Sequence, residues 1–408
     1  MTTAVHRALS PLGVVILISS GCLIGILTFG PRATMGLFLV PMTDANGWSR
    51  EAFAFSIAIQ NLVWGMAQPF AGMLADRYGT ARVLSVGAVL YAVALFLMAH
   101  TTDPILLQFT TGVLMGLGLA GAAFFLVMAA FARLLPENVR TLGFGLATAS
   151  GSLGQFIFAP LGQGFIESYG FMVALYIMAA CVIVVPLLTL PLRGKSAAPA
   201  AGEVNQSIRS AISEAFNHRS YQLLVAGFFV CGFHVAFITV HLPPFLADQG
   251  VAQRWGAIAI ALIGLFNIIG AISSGYVSDR ISKRWVLSWI YFARAIAIAV
   301  FVFLPITPVS TLIFASVMGL LWLSTIPPTQ GLVTVMFGTR YAATLFGFTF
   351  FSHQVGSFLG IWLGGRIYDA TGSYDIVWYI GIALGLIAAV IHLPIVEKPV
   401  QRPALATG

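Results

Sequence analysis

The sequence predicts an all-α membrane protein whose twelve transmembrane helices form two pseudo-symmetric six-helix bundles. Three observations predict it: the composition, the length of the apolar runs and an internal duplication. Of the 408 residues, 59% are hydrophobic and 8% are charged, whereas soluble chains carry about 25% charged residues. A bilayer suits such a composition, because a helix of about 20 apolar residues crosses its hydrocarbon layer.

Twelve apolar runs follow one another along the chain, separated by short polar turns. The first is expected to be a spanning helix rather than a signal peptide, because it is long and lacks a small-residue cleavage site. The three cysteines, Cys22, Cys181 and Cys231, fall inside runs and are interpreted as small core residues. The predicted spans are 12–41, 52–75, 83–101, 104–132, 141–166, 171–192, 221–247, 254–277, 285–307, 309–336, 341–367 and 374–396.

The basic residues are distributed unequally between the two sides of the predicted membrane. If both termini are cytoplasmic, 15 of the 20 Lys and Arg residues lie on that side, and only Arg50, Arg254 and Arg366 lie opposite. Positive charge in short loops favours the cytoplasmic side, so we expect cytoplasmic termini in a bacterial inner membrane. The net charge of +7 then reflects orientation, and we expect no nucleic-acid partner.

The chain carries one pattern twice. The stretch 72-GMLADRYG-79 follows the second run, and 275-GYVSDRIS-282 follows the eighth at an offset of 203, which also pairs Gly47 with Gly250. Spans five and eleven end in 161-LGQGFIESYG-170 and 363-LGGRIYDATG-372, at an offset of 202. Repeats in register indicate a duplication of six spans. We expect an N-terminal bundle at 1–192, a cytoplasmic linker at 193–220 and a C-terminal bundle at 221–408.

The two eight-residue stretches resemble the signature loop of the major facilitator superfamily, between helices two and three, and its repeat between helices eight and nine. The resemblance covers the whole chain and implies the major facilitator fold and a secondary active transporter rather than an enzyme. It implies that Asp76 and Asp279 cap a neighbouring helix and pair with Arg across the halves in the outward-open state. The gating residues carried over are Gly72, Asp76, Arg77, Gly275, Asp279 and Arg280.

A narrower resemblance rests on 47-GWSR-50, 231-CGFHVAFITVHLPPFL-246 and 346-FGFTFFSHQVGSFLGIWLGG-365. These segments resemble the bacterial branch that contains monocarboxylate transporters and oxalate–formate exchangers. That branch commonly has an arginine in helix eight, where this sequence has Ala271 and Ile272, so the substrate is not carried over. A proton-driven multidrug or metabolite efflux pump is the alternative, although helix four has Gly112 in place of the exporters' arginine.

Two arginines lie within the predicted spans, where no Asp or Glu is mid-membrane. A buried charge costs about 2.5–3.5 kcal/mol on insertion scales, so an unpaired cation needs an anionic partner. We expect Arg32 to bind a small organic anion such as a monocarboxylate; the alternative is that it snorkels to the outer interface. Arg294 lies on a helix that is peripheral in the superfamily, so we expect it to pair with backbone carbonyls or another helix.

Histidine is the one intramembrane side chain whose ordinary pKa suits proton coupling. His353 lies in the eleventh span, which lines the cavity in the superfamily; His234 and His241 are seven residues apart and share a face of the seventh span. We expect one of them to sense protons or to complete the anion pocket, the alternative being a satisfied core histidine. The rest of the substrate site is expected from Asn61, Trp64, Gln155, Asn267, Trp322 and Gln354.

Other function classes lack their motifs. The sequence has no Walker loop, metal-ligand cluster or Ser-His-Asp set, so an ATP-driven pump or an intramembrane enzyme is not supported. A receptor-like sensor on a transporter fold is a further alternative, which an appended output domain would mark. We expect no cofactor, no metal and a monomeric chain in the lipid bilayer, with protons as a candidate coupling ion.

Overall fold

A computed structural model describes residues 10–193, 207–338 and 340–400, and the regular structure within these ranges is helical. Both termini and the linker residues 194–206 lie outside the described residues. A short linker helix, Ile208–Asn217, precedes the second half. The membrane helices are α1 (Pro11–Ala33 and Met35–Asn46), α2 (Arg50–Tyr78), α3 (Thr80–His100), α4 (Pro104–Leu134, in four pieces), α5 and α6 (together Glu137–Ile183), α7 (Arg219–Asp248), α8 (Gln253–Ser278), α9 (Lys283–Phe303), α10 (Pro308–Leu321 and Ile326–Phe337), α11 (Ala342–Thr371) and α12 (Asp375–His392).

The described helices are consistent with the twelve predicted passages. Nine helical segments are long and apolar enough to cross a membrane. One of them contains α5 and α6: a straight helix of 47 residues would be about 70 Å long, but Gly170 interrupts it with φ of 80° and separates 137–169 from 171–183. Helices α2 and α11 are not among the nine because they are less apolar, although they have 29 and 30 residues. The nine segments count as ten passages because one of them contains both α5 and α6, and α2 and α11 bring the number to twelve.

The backbone turns repeat at the offsets of the sequence duplication. Gly47 and Gly250 have φ of 66° and 75°, and Gly170 and Gly372 have φ of 80° and 71°. Positive φ favours glycine because it lacks a Cβ atom. A glycine with positive φ therefore follows both α1 and α7, and another follows both α5 and α11, at the offsets of the sequence duplication.

The buried apolar residues form two clusters. The first consists of residues between 17 and 192 together with Ala236, Val240 and Ile361. The second consists of residues between 215 and 395 together with Ala159. Each half of the chain therefore packs mainly on itself, with few residues crossing over. The boundaries at 192 and 220 stay a prediction.

Helices α2 and α11 contact each other at mid-depth, where they join the two halves, and they separate towards one end of the molecule. We name the end of the molecule that carries Arg50 the outer end and the opposite end the inner end, following the predicted orientation. A Cβ atom on Gly65 would lie 2.7 Å from the Cβ of Gln354. Gly72 and Gly347 lie two turns further inward on the same helix faces, and nothing approaches their Cβ positions within 4 Å.

Helices α5 and α8 repeat this arrangement. A Cβ atom on Gly264 would lie 2.7 Å from the carbonyl oxygen of Ser152. Two turns inward on α5, Gly145 meets nothing within 4 Å, and three turns inward on α8, Gly275 meets only Pro327 of its own half at 3.9 Å. The halves therefore touch at mid-depth and are apart at the inner end, which, with the predicted orientation, is an inward-facing conformation.

Candidate functional site

The break in α1 places Arg32 at the middle of the molecule. Pro31 lacks a backbone N–H and interrupts helical hydrogen bonding, and the Thr34 hydroxyl donates to the Pro31 carbonyl at 2.7 Å. Arg32 lies in the last turn before this break. Its contact residue on α2, Asn61, is eleven residues from the outer end of that helix, about 16 Å at 1.5 Å per residue. The guanidinium thus lies near mid-depth and does not reach the outer interface.

Arg32 contacts neutral and aromatic groups. Its Nη2 donates to Asn61 Oδ1 at 2.8 Å, and its Cζ lies 4.6 Å from the centre of the Trp64 ring. Asn61 Nδ2 donates to the carbonyl of Ile57 at 2.9 Å, so the amide oxygen is the atom that faces Arg32. Arg32 Nε is buried without a hydrogen-bond partner. Within the described ranges no carboxylate forms an ion pair with this guanidinium.

A small cavity adjoins Arg32 on its outer side, between the two halves. Its volume is about 10 Å³, room for roughly one water molecule. A Cβ atom on Gly36 would lie 2.7 Å from the carbonyl oxygen of Val240, which shows how closely α1 and α7 approach there. The two halves are therefore closely packed on the outer side of Arg32. The cavity is lined by Arg32, Met35, Ile57, Gln60, Asn61, Ala236, Thr239, Val240 and Ile361.

Helix α11 presents a matching polar group from the second half. Gln354 Nε2 donates to the carbonyl of Asn61 at 3.0 Å, and Gln354 Oε1 lies 3.0 Å from His353 Nδ1. The His353 ring stacks on Phe350 at 5.8 Å, and Phe350 in turn contacts Trp64 edge to face at 5.5 Å. Four of the predicted site residues, Asn61, Trp64, His353 and Gln354, thus come together around Arg32.

The two helix-seven histidines share a face as predicted but lie outside this group. His234 Nε2 is 2.7 Å from the carbonyl of Gly381 on α12. His241 Nε2 is 2.8 Å from the carbonyl of Ile361 on α11. Both rings are buried and packed among helices of the second half. They are not part of the cavity lining, and His234 Nδ1 is buried without a hydrogen-bond partner.

Gln155 and Asn267 connect the halves at the α5 and α8 contact. Gln155 Nε2 donates to the carbonyl of Ile260 at 2.8 Å, and Asn267 Nδ2 donates to Ser152 Oγ at 2.8 Å. The amide oxygen of Asn267 accepts from the backbone N–H of Leu323 at 2.9 Å. These side chains hold the interface on the side opposite to α2 and α11.

Arg294 and Trp322 meet at the break in α10. Arg294 is fully buried; its Nε and Nη2 donate to the carbonyl of Leu321 at 3.1 and 2.6 Å, and Nη2 also donates to the carbonyl of Trp322. These carbonyls lose their helical partners where α10 breaks. The expected pairing of Arg294 with backbone carbonyls is therefore present, and Trp322 is buried at this break.

The predicted gating residues surround the open inner end. Asp76, Arg77, Asp279 and Arg280 are exposed, and within the described ranges neither aspartate forms an ion pair. Arg280 stacks over its neighbour Tyr276 at 3.4 Å instead of crossing to the other half. The cross-half pairing that the resemblance implies belongs to the outward-open state, so its absence agrees with the separated inner ends.

The C-terminal segment holds the second signature loop within its own half. Glu397 accepts hydrogen bonds from Ser282 Oγ at 2.7 Å and from Lys283 Nζ at 2.9 Å. Partial burial raises the pKa of Glu397, but the hydrogen bonds from Lys283 and Ser282 outweigh it and hold that pKa below its ordinary value. The backbone N–H of Val400 donates to the carbonyl of Met336 at 2.9 Å, so this segment joins α9 to α10.

The outer end is closed by an ion-pair network that the sequence did not single out. Arg50 donates to both carboxylate oxygens of Asp248 at 2.6 and 2.7 Å. Asp369 accepts from the backbone N–H groups of Arg50 and Glu51 at 3.1 and 2.8 Å, and Arg366 pairs with Glu51 at 3.1 Å. The signal in the sequence that could have indicated this network is the presence of opposite charges near the outer ends of α2, α7 and α11. Each of these bonds joins the first half to the second.

Known proteins resemble this chain over most of its length. A family model described as the Major Facilitator Superfamily matches residues 21–361. An uncharacterized MFS-type transporter, YcxA of Bacillus subtilis (strain 168), is 27% identical over 90% of this chain and 91% of its own length. Monocarboxylate transporter 12-B of Danio rerio is 26% identical over 90% of this chain and 84% of its own.

A solved structure has the same fold. It is a bacterial homolog to the human lysosomal transporter Spinster in an inward-facing and unoccupied conformation, with a TM-score of 0.74. It covers 94% of this chain and 97% of its own chain at 16% sequence identity. This similarity supports the fold alone, with the arrangement of helices found here.

Proposed function

The chain belongs to the Major Facilitator Superfamily, and on that premise we propose that it moves a small organic anion, with a monocarboxylate favoured, across a bacterial inner membrane. Transport proceeds by alternating access, in symport with protons or by exchange. The chain acts as a monomer with cytoplasmic termini. Membership confirms the superfamily resemblance, and it makes the chain a multi-pass membrane transporter.

The observation that carries the proposal is the charge around Arg32. The guanidinium lies between the halves, and its Nε is buried without a hydrogen-bond partner. Its contacts among the described residues are an amide oxygen and aromatic rings. An organic carboxylate reaching it would form charge-assisted hydrogen bonds, worth about 1.5–3 kcal/mol each. A lipophilic cation would meet a charge of the same sign.

The position of the site supports transport rather than permanent binding. Arg32 lies where α1, α2, α7 and α11 meet, between the closed outer end and the inner end at which the halves are separated. A site at this level becomes accessible from either side when two halves rock about it. Similarity to monocarboxylate transporters supports the choice of anion class without fixing the substrate.

An efflux pump remains the second candidate because of the apolar surface at the inner opening. Phe125 contacts Phe350 at 5.6 Å, and Phe350 contacts Trp64 beside Arg32 at 5.5 Å. Aromatic side chains of this kind also suit an amphipathic ligand. A ligand of this class that carried a negative charge would still need Arg32.

A proteoliposome screen tests the proposal. Purified protein is reconstituted and challenged with small carboxylates and with lipophilic cations, each with and without a pH gradient. We expect uptake of at least one carboxylate and none of the cations. Transport of cations while carboxylates are ignored would contradict the anion assignment and support the exporter.

A further inference from the structure

Gln354 connects the anion site to the buried histidine through both ends of one amide. Its Nε2 contacts the carbonyl oxygen of Asn61 in the first half, and its Oε1 contacts His353 Nδ1 in the second half. Asn61 in turn accepts from Arg32 through its side chain. Arg32 and His353 are therefore linked across the contact between the halves through two residues, Asn61, by its side chain and its backbone carbonyl, and Gln354.

These partners fix the tautomer of His353. A backbone carbonyl oxygen only accepts, so the Gln354 atom facing Asn61 is the amide nitrogen and the atom facing His353 is the amide oxygen. That oxygen also only accepts, so His353 Nδ1 carries a hydrogen. In a neutral imidazole the other nitrogen is then the acceptor, which leaves Nε2 as the position that takes a proton.

We propose that Gln354 is the positioning residue through which the anion site and the proton site communicate, by holding His353 with Nδ1 as donor and Nε2 as proton acceptor. The proposal rests on the proposed function of Arg32. Gln354 performs this role at the level where α2 and α11 separate, since the faces of Gly72 and Gly347 two turns inward are open.

The surrounding charges explain why an anion and a proton would bind together. Arg32 lies on the first-half side of His353, and Arg294, bonded to the Trp322 carbonyl, lies near Cys231 of α7. From α7 the thiol of Cys231 interacts with the His353 ring, and no carboxylate of the described residues faces the ring. A proton on Nε2 would add positive charge to a region that already holds the Arg32 guanidinium. An anion at Arg32 offsets that charge, so the two ligands stabilise one another.

Two variants of Gln354 separate this role from simple packing. Gln354→Met keeps the size of the side chain and removes both hydrogen bonds. Gln354→Glu keeps an acceptor for His353 but places a carboxylate beside the Asn61 carbonyl, which favours a protonated ring. We expect uptake by Gln354→Glu to extend to higher pH. In Gln354→Met, the ratio of uptake at low pH to uptake at high pH should fall by a factor of two to about ten, which corresponds to one net hydrogen bond. Equal losses at every pH in both variants would reduce Gln354 to a packing residue.

Nitrogen NMR of histidine-labelled protein tests the tautomer without any substrate. The signal that disappears in His353→Asn is expected to show Nδ1 protonated and Nε2 free in the neutral form. In Gln354→Met this preference should be lost, and a wild-type ring protonated on Nε2 would overturn the proposal. If wild type transports no carboxylate, the proposed function fails while the NMR result still stands. If carboxylates are transported but the tautomer is unchanged in Gln354→Met, only the role of Gln354 fails.

Discussion

Arg50 and Asp248 join the outer ends of α2 and α7 through two hydrogen bonds of 2.6 and 2.7 Å. The pair is bidentate, the strongest geometry for a guanidinium and a carboxylate, and Arg50 also stacks over Tyr368 at 3.8 Å. Because these bonds connect opposite halves, they must break before the outer end opens. They therefore stabilise the inward-facing state relative to the outward-facing one.

Removing this pair is predicted to shift the conformational equilibrium outward. Asp248→Asn and Arg50→Gln should each favour the outward-facing state by about 1–3 kcal/mol, the worth of a charge-assisted hydrogen bond. Distances between spin labels across the outer end report the shift. Arg254→Gln, which removes an exposed arginine at the same end, is the matched control and should leave the distances unchanged. Unaltered distances in all three variants would contradict the gating role.

The signature-loop aspartates are predicted to act on turnover more than on affinity. Asp76 and Asp279 lie exposed at the inner end, far from Arg32, and form no ion pair in the inward-facing state. Asp76→Asn or Asp279→Asn should slow the conformational cycle because the state with joined inner ends loses its partners. Transport kinetics and equilibrium substrate binding separate the two effects. Normal turnover with selectively weakened binding would count against this assignment.

Glu397 is predicted to make stability depend on pH. Its pKa in the folded protein is below the ordinary value, so its contribution is present above the unfolded pKa of about 4.3 and is lost as the pH falls through the folded pKa. Glu397→Gln should lower the melting temperature at pH 7, and the difference from wild type should shrink in acid. Asp44→Asn, at an exposed position, serves as the control. A difference that is constant with pH would rule out the linkage.

Arg294 is predicted to matter for stability and not for selectivity. Its side chain satisfies the carbonyls of Leu321 and Trp322 at the break in α10, and removing it leaves these buried acceptors without a donor. Arg294→Met should destabilise the protein by about 1.5–3 kcal/mol while the preference among substrates is retained. Thermal unfolding and a substrate competition assay measure the two quantities. A stable variant with altered selectivity would place Arg294 in the substrate site instead.

The fold was predictable because its signals are local. The length of an apolar run and each copy of the Gly-x-x-small-Asp-Arg pattern are read directly from neighbouring residues. Arg32 could be proposed as a site residue for a related reason: a permanent charge in an apolar run is visible without knowledge of its neighbours. The partners Asn61 and Gln354 were identified as polar residues on inner helices, but their mutual contact spans 293 residues.

The rotation of a helix about its axis was not predictable where the helix is apolar on every side. Helix α7 is buried on nearly every side between Gly227 and Leu246, so no polar stripe indicates which face meets the cavity. The shared face of His234 and His241 packs on α11 and α12. The outer network was missed for a second reason. Arg50 and Asp248 are 198 residues apart, and each alone is an ordinary charge at a helix end.

Uptake by Arg32 variants in proteoliposomes tests the central claim most directly. Arg32→Gln should reduce uptake of the anionic substrate by about ten- to a hundredfold, the loss of a charge-assisted hydrogen bond, and Arg32→Lys should restore only part of it because the bidentate fork is lost. Arg254→Gln controls for loss of a positive charge elsewhere. Full activity of Arg32→Gln towards carboxylates would contradict the organic-anion account.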